Sequence, residues 1–162
     1  MDSMTRQAAQ CRHLISQAEA AFKDLVDAHH ALEPMPGVKT AGWLLGHLAV
    51  TGDFARKLCG RPAICPTEWR TQFNPGSHPS HDPASYPTMA ALRDAFRAVY
   101  EDLAESASTA GAGLDGPNPF APTRAAFPTA GDFLGYMMTG HLAYHLGQFV
   151  AWRGAAGLAR SL

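Results

Sequence analysis

The chain has 162 residues, 46% of them hydrophobic and 17% charged, with a formal net charge of −1. That length suits one domain (residues 1–162) with a core of its own, and the apolar share excludes an intrinsically disordered chain. The near-neutral balance leaves no basic footprint for nucleic acid and no polybasic cluster for an anionic membrane.

The first predicted helix runs from about Thr5 to Leu32, with Leu14, Ala18, Ala21, Leu25 and Leu32 on one stripe and Pro34 and Pro36 as terminators. No secretory signal is expected ahead of it, because Met1-Asp2-Ser3-Met4-Thr5-Arg6-Gln7 lacks an apolar core behind a basic start. The second helix opens at Thr40, a suitable N-cap, and ends before Gly60. Trp43, His47, Val50, Phe54 and Leu58 fall at helical intervals along its inner face. Residues 60–87 hold six prolines and no periodic pattern, which predicts a long loop. A third helix begins near Thr88 and carries Leu92, Phe96, Val99 and Leu103; a second loop covers about 109–128.

Thr129-Ala130-Gly131-Asp132 reads as a capping box that opens a fourth helix, ending near Arg153 with Gly154 as its stop. From Phe133 to Trp152 this helix has no carboxylate, lysine or arginine, close to the length of a membrane span. It also carries His141, His145 and Gln148, groups expensive in lipid, so a helix buried in a helical protein is the better reading. The pattern predicts an all-α, four-helix bundle with its site between facing helices. The long connections at 60–87 and 109–128 are candidate pocket walls. Cys11, Cys59 and Cys65 are odd in number and form no Cys-x-x-Cys pair, as expected of a reduced, cytoplasmic protein with inert thiols.

His141 and His145 lie one helical turn apart on a single face, so their imidazoles can converge on one point. With His47 from a neighbouring helix they make three nitrogen donors with an open position, a set suited to Zn²⁺, Ni²⁺ or Fe²⁺. The same spacing also arises where buried histidines only hydrogen-bond carbonyls. The segment lacks the glutamate of His-Glu-x-x-His proteases and the Glu-x-x-His pairs of di-iron bundles. Asp53 points away from His47 on their helix. Gln148 and Tyr144 flank the motif and are candidates to orient an imidazole or hold a water, Gln148 on much the same face as His145 and Tyr144 rotated away, where it could instead pack elsewhere; Trp43 and Trp152 are expected to be core or pocket wall. Arg56 and Arg153 could meet a substrate carboxylate, with solvent exposure as the default. His13, His29, His30, His78 and His81 read as solvent-facing, capping or loop residues, of which His78 and His81 could fold over the site.

Trp43-Leu44-Leu45-Gly46-His47-Leu48 together with His141-Leu142-Ala143-Tyr144-His145-Leu146-Gly147-Gln148 resembles the DinB-like (DinB/YfiT) superfamily. The resemblance spans helix order, the long connection before Tyr86-Pro87-Thr88 and the closing histidine helix. It implies a four-helix bundle with a divalent metal on His47, His141 and His145, in a protein that commonly forms homodimers. It also implies an activity seen among such proteins, transfer of a small thiol such as mycothiol or bacillithiol to an electrophile. A metal-dependent hydrolase using water, or a non-enzymatic bundle that holds a metal or small ligand in stress response, are the alternative expectations.

Overall fold

The computed structural model describes residues 3–159, so both ends of the expected 1–162 domain lie outside the described residues. The regular elements among the described residues are all helices, apart from one isolated bridge between Pro117 and Thr129. The α-helices are α1 (Ser3–Phe22), α2 (Ala41–Leu58), α3 (Trp69–Phe73), α4 (Met89–Ala107), α5 (Ala130–Tyr136) and α6 (Leu142–Ala155). A π-helical turn, Met137–His141, joins α5 to α6 without a break. Among the described residues no helix is long and apolar enough to cross a membrane.

Helix α1 ends ten residues before the predicted boundary at Leu32, and long-range contacts explain why. Its last carbonyls are taken by arginines from elsewhere: Ala21 O by Arg153 at 2.8 Å, Phe22 O and Lys23 O by Arg93 at 3.2 and 3.0 Å. A helix end satisfied in this way has no need to continue. Beyond it, Val26 N donates to His29 Nδ1 at 3.0 Å, a local bond that competes with helix. Asp27 receives Met89 N at 2.7 Å, so the segment after α1 caps the start of α4. Leu25 stays in the core, whereas Leu32 is exposed.

Helix α2 opens at Thr40, whose hydroxyl accepts from Trp43 N at 3.3 Å, and it is buried from Ala41 through Asp53. It is the central rod, packed along α4 on one side and close to α3 and α6 on others. Phe22 meets Phe96 at 5.2 Å and Phe149 at 4.6 Å, so one aromatic cluster ties α1, α4 and α6 together. Phe54, predicted to face inward, is instead a large exposed apolar side chain on a pocket rim.

Both predicted loops contain structure. The first folds α3, whose Trp69 and Phe73 are buried one turn apart. The second holds two short 3-10 turns around Asn118, which is fully buried. Its amide donates to Thr123 Oγ1 and Phe127 O and accepts from Phe120 N, closing the segment on itself. The capping box at Thr129 and Asp132 starts α5 as predicted. Gly154, however, lies inside the last helix. The stop is Gly157, in the left-handed region at φ 72°, where Leu158 N reaches back to Arg153 O at 3.0 Å.

Candidate metal centre

His47 is held from three sides before any ligand is considered. Its Nδ1–H donates to the carbonyl of Phe73 at 2.7 Å. Its ring stacks on Trp43 at 4.6 Å and 10°, and Trp43 Nε1 is anchored on Ser77 Oγ at 2.9 Å. Lys39 Nζ lies 4.2 Å from the Trp43 ring centroid, a cation–π contact that fixes the outer face of the stack. The tautomer that donates from Nδ1 leaves Nε2 as the free lone pair.

The carbonyl of Phe73 reaches His47 because residue 46 is glycine. A Cβ on Gly46 would lie 2.6 Å from the Phe73 ring, a distance real atoms do not adopt. Gly46→Ala should therefore push α3 away and loosen His47, lowering divalent-metal affinity by about 10–100-fold, as loss of an orienting partner does. Isothermal titration with Zn²⁺ checks this; unchanged affinity would mean that Phe73 does not position the ring.

His141 ends the π turn and His145 follows one turn into α6. Ring centroids are 4.6 Å apart for His141 and His145, 4.7 Å for His47 and His145, and 5.5 Å for His47 and His141. One potential ligand atom from each histidine falls within 4.8 Å of the others. His145 Nδ1–H donates to Gln148 Oε1 at 2.8 Å, which again leaves Nε2 free, and Gln148 Nε2 donates to Tyr144 OH at 3.1 Å. Tyr144 is thus exposed and adjoins the site through Gln148, the flanking candidate position rather than packing elsewhere. His141 Nδ1 is buried with no hydrogen-bond partner. Three converging imidazoles, two with the second nitrogen engaged and one with an orphaned nitrogen, fit a divalent ion of the zinc, nickel or iron type.

The electrostatics agree with that fit. Burial pushes His47 down to about 4, against the raising effect of the Phe73 carbonyl, with His145 and Lys39 lowering it further. Burial likewise pushes His141 down to about 3, helped by repulsion from His145 and His47. His145 is lowered by burial, partly opposed by its bond to Gln148. All three imidazoles are therefore neutral at pH 7 and available as ligands.

The same shifts give the metal-free protein a pH-dependent stability. Below the ordinary histidine pKa of about 6.5 the unfolded chain takes up protons that the folded chain refuses until about pH 4 and 3. Protons then favour the unfolded state, so stability falls as pH drops from 6.5 toward 4, by roughly 1.4 kcal/mol per pH unit for each such histidine. Buried His30, lowered mainly by desolvation, adds with the same sign. Urea midpoints of chelator-treated protein should be lower at pH 5 than at pH 7; equal midpoints would contradict buried neutral imidazoles.

His47 and His141 open onto a cavity of about 940 Å³, whose walls include Cys65, Arg70, Asn74 and Pro75 from the first long connection and Phe120 and Pro122 from the second. Both connections therefore line the pocket, but not through His78 or His81, which are exposed. His30 is buried rather than solvent-facing, stacked on Tyr86 at 5.4 Å. Asp53 stays out of the histidine cluster and accepts from Arg56, Ile64 N and Cys65 N at 2.8, 2.9 and 3.2 Å. Arg56 and Arg153 are buried and structural, contrary to their expected exposure: Arg56 bridges Asp53 and Asp102, and Arg153 holds Asp24. Trp152 is core, its Nε1 donating to Leu32 O at 2.9 Å.

The fold and the site define a helical protein with a three-histidine cluster that could hold a metal ion. A match to the DinB superfamily covers residues 10–149 and includes all three histidines; the chain belongs to that family. No curated protein matches it.

Proposed function

We propose that this protein is a divalent-metal enzyme that transfers a low-molecular-weight thiol to an electrophilic small molecule. The observation that carries the reading is a carboxylate-free set of three neutral imidazoles, two of which, His47 and His141, open onto a large, mostly apolar cavity. His47, His141 and His145 would hold the ion, with Gln148 and the Phe73 carbonyl fixing the tautomers of two of them. A divalent ion bound there supplies Lewis acidity that brings a thiol into its thiolate form near neutral pH.

The chain's own thiols are poor substitutes. Burial pushes Cys11 and Cys65 up to about 12 and raises Cys59 as well, so the reacting sulfur must come from a separate molecule. The aromatic wall offers a surface for the electrophile's apolar body. In this reading α1, α2, α4 and the α5–α6 run are the four rods of a four-helix bundle, the protein works in the cytoplasm where thiols stay reduced, and it assembles as a homodimer.

The test is thiol consumption by metal-reconstituted protein across a panel of small thiols, with an activated aryl chloride or an epoxide as electrophile. Turnover is expected, abolished by His145→Ala and lowered about 10–100-fold by Gln148→Ala. Absence of turnover across the panel, with the ion bound, would make the protein a binding module instead.

A further inference from the structure

The wall of the cavity away from the histidines has a charge pattern that the proposed chemistry does not use. Lys57 and Arg70 both line it, and among the described residues neither side chain has a hydrogen bond or an ion pair. Other arginines do have carboxylate partners: Arg56 and Arg61 on Asp102, Arg97 on Glu19, Arg153 on Asp24. The carboxylate among the described lining residues, Asp53, is consumed by Arg56 and two backbone amides. In a chain whose net charge is −1, this cavity therefore presents two uncompensated cations and no available anion.

An aromatic cluster lines the same cavity, with Phe54 between His47 and Lys57 along α2. Phe54, Phe120 and Phe133 form a triangle with centroid separations of 6.4, 6.3 and 5.8 Å, and all three face the cavity. Phe54 and Lys57 follow His47 on α2 by seven and ten residues, so they sit about 10 and 15 Å further along the helix axis. Arg70 approaches from α3, one turn before Phe73, close enough to act electrostatically on the Cys65 thiol.

We propose that the cavity takes an organic carboxylate, its apolar body against Phe54, Phe120 and Phe133 and its anionic end on Lys57 and Arg70. The inference rests on the reading of this cavity as the electrophile's site and names the class of that electrophile. A charged end some way along α2 from the histidines orients the molecule so that its uncharged end meets the thiol. Lys57 is exposed and Arg70 half-buried, so charge-assisted hydrogen bonds from them to a carboxylate discriminate modestly against a neutral molecule of the same shape.

The experiment is calorimetric titration of biphenyl carboxylate and its neutral carboxamide into chelator-treated and zinc-loaded protein. The acid should bind about tenfold more tightly than the amide in both forms, as one or two charge-assisted bonds imply. Lys57→Gln and Arg70→Gln, singly and together, should lower acid affinity stepwise toward that of the amide and leave amide affinity unchanged. Lys57→Arg should retain the preference. Equal affinity for acid and amide in metal-free protein would overturn the proposal, and so would a preference that survives the double variant. A preference seen only with zinc would also overturn it, since the carboxylate would then be on the ion. Acid preference without thiol turnover in the wild-type protein would sink the transferase reading and leave the anion site standing; turnover without acid preference would do the reverse.

Discussion

His141→Ala is expected to abolish tight divalent-metal binding while leaving the fold intact. The imidazole is one of three converging donors, and its loss leaves a two-histidine pair without the third side of the site. Affinity should fall by more than the about 10–100-fold that follows loss of an orienting partner, because a ligand itself is gone. In wild-type protein, an ion present at a hundred times its dissociation constant stabilises the folded state by about 2.7 kcal/mol. For a chain of this size that is a rise in Tm of about 5–10 °C. The variant should show no such rise. Its metal-free form should be at least as stable as wild type, because truncation removes a half-buried imidazole with an unpartnered nitrogen. Differential scanning calorimetry with and without Zn²⁺ reads both effects. A metal-dependent rise that persists in the variant would place the ion elsewhere.

Arg56→Met should produce the largest loss of stability, although it lies outside the histidine cluster. The guanidinium is 3% exposed and joins α2 to α4 through Asp102, while it also pairs with Asp53 one turn back on α2 and donates to Pro62 O. Asp102 would keep Arg61 as a partner, but Asp53 would become a buried carboxylate held only by two backbone amides. Breaking one side of a buried pair costs about 3–5 kcal/mol, a large share of the 5–15 kcal/mol typical of a domain. The consequence reaches the pocket, since Asp53 fixes the backbone at Ile64 and Cys65 that forms part of its wall. Urea denaturation at pH 7 measures it. A loss below about 1 kcal/mol would show the network to be no stronger than an exposed ion pair.

The division between what was legible in the sequence and what was not follows the range of the interactions. Thr40, Thr88 and the Thr129–Asp132 box are local signals, and the structure uses each as a helix cap. The juxtaposition of His141 and His145 is likewise local, a spacing of one turn, and only the arrival of His47 needed a tertiary contact. By contrast, α3 is five residues long and falls below any periodicity window. Its Trp69 and Phe73, a turn apart before Asn74-Pro75-Gly76, were the one available sign of it, and with it of the carbonyl that orients His47. The early end of α1 depends on Arg93 and Arg153, more than seventy residues downstream by the bonds at Phe22 and Ala21. The burial of Arg56 and Arg153 has the same origin, because a charge is read as exposed until its distant partner is known. The π turn before His141 has no sequence signature of its own beyond Thr139-Gly140, where the absence of a Cβ lets the Tyr136 ring lie close.

X-ray absorption spectroscopy of the protein reconstituted with one equivalent of zinc tests the central claim most directly. The account predicts a shell containing three imidazole nitrogens at about 2.0–2.1 Å, reduced to two in each of His47→Ala, His141→Ala and His145→Ala. A shell of oxygen donors only, or one that none of the three substitutions alters, would contradict it.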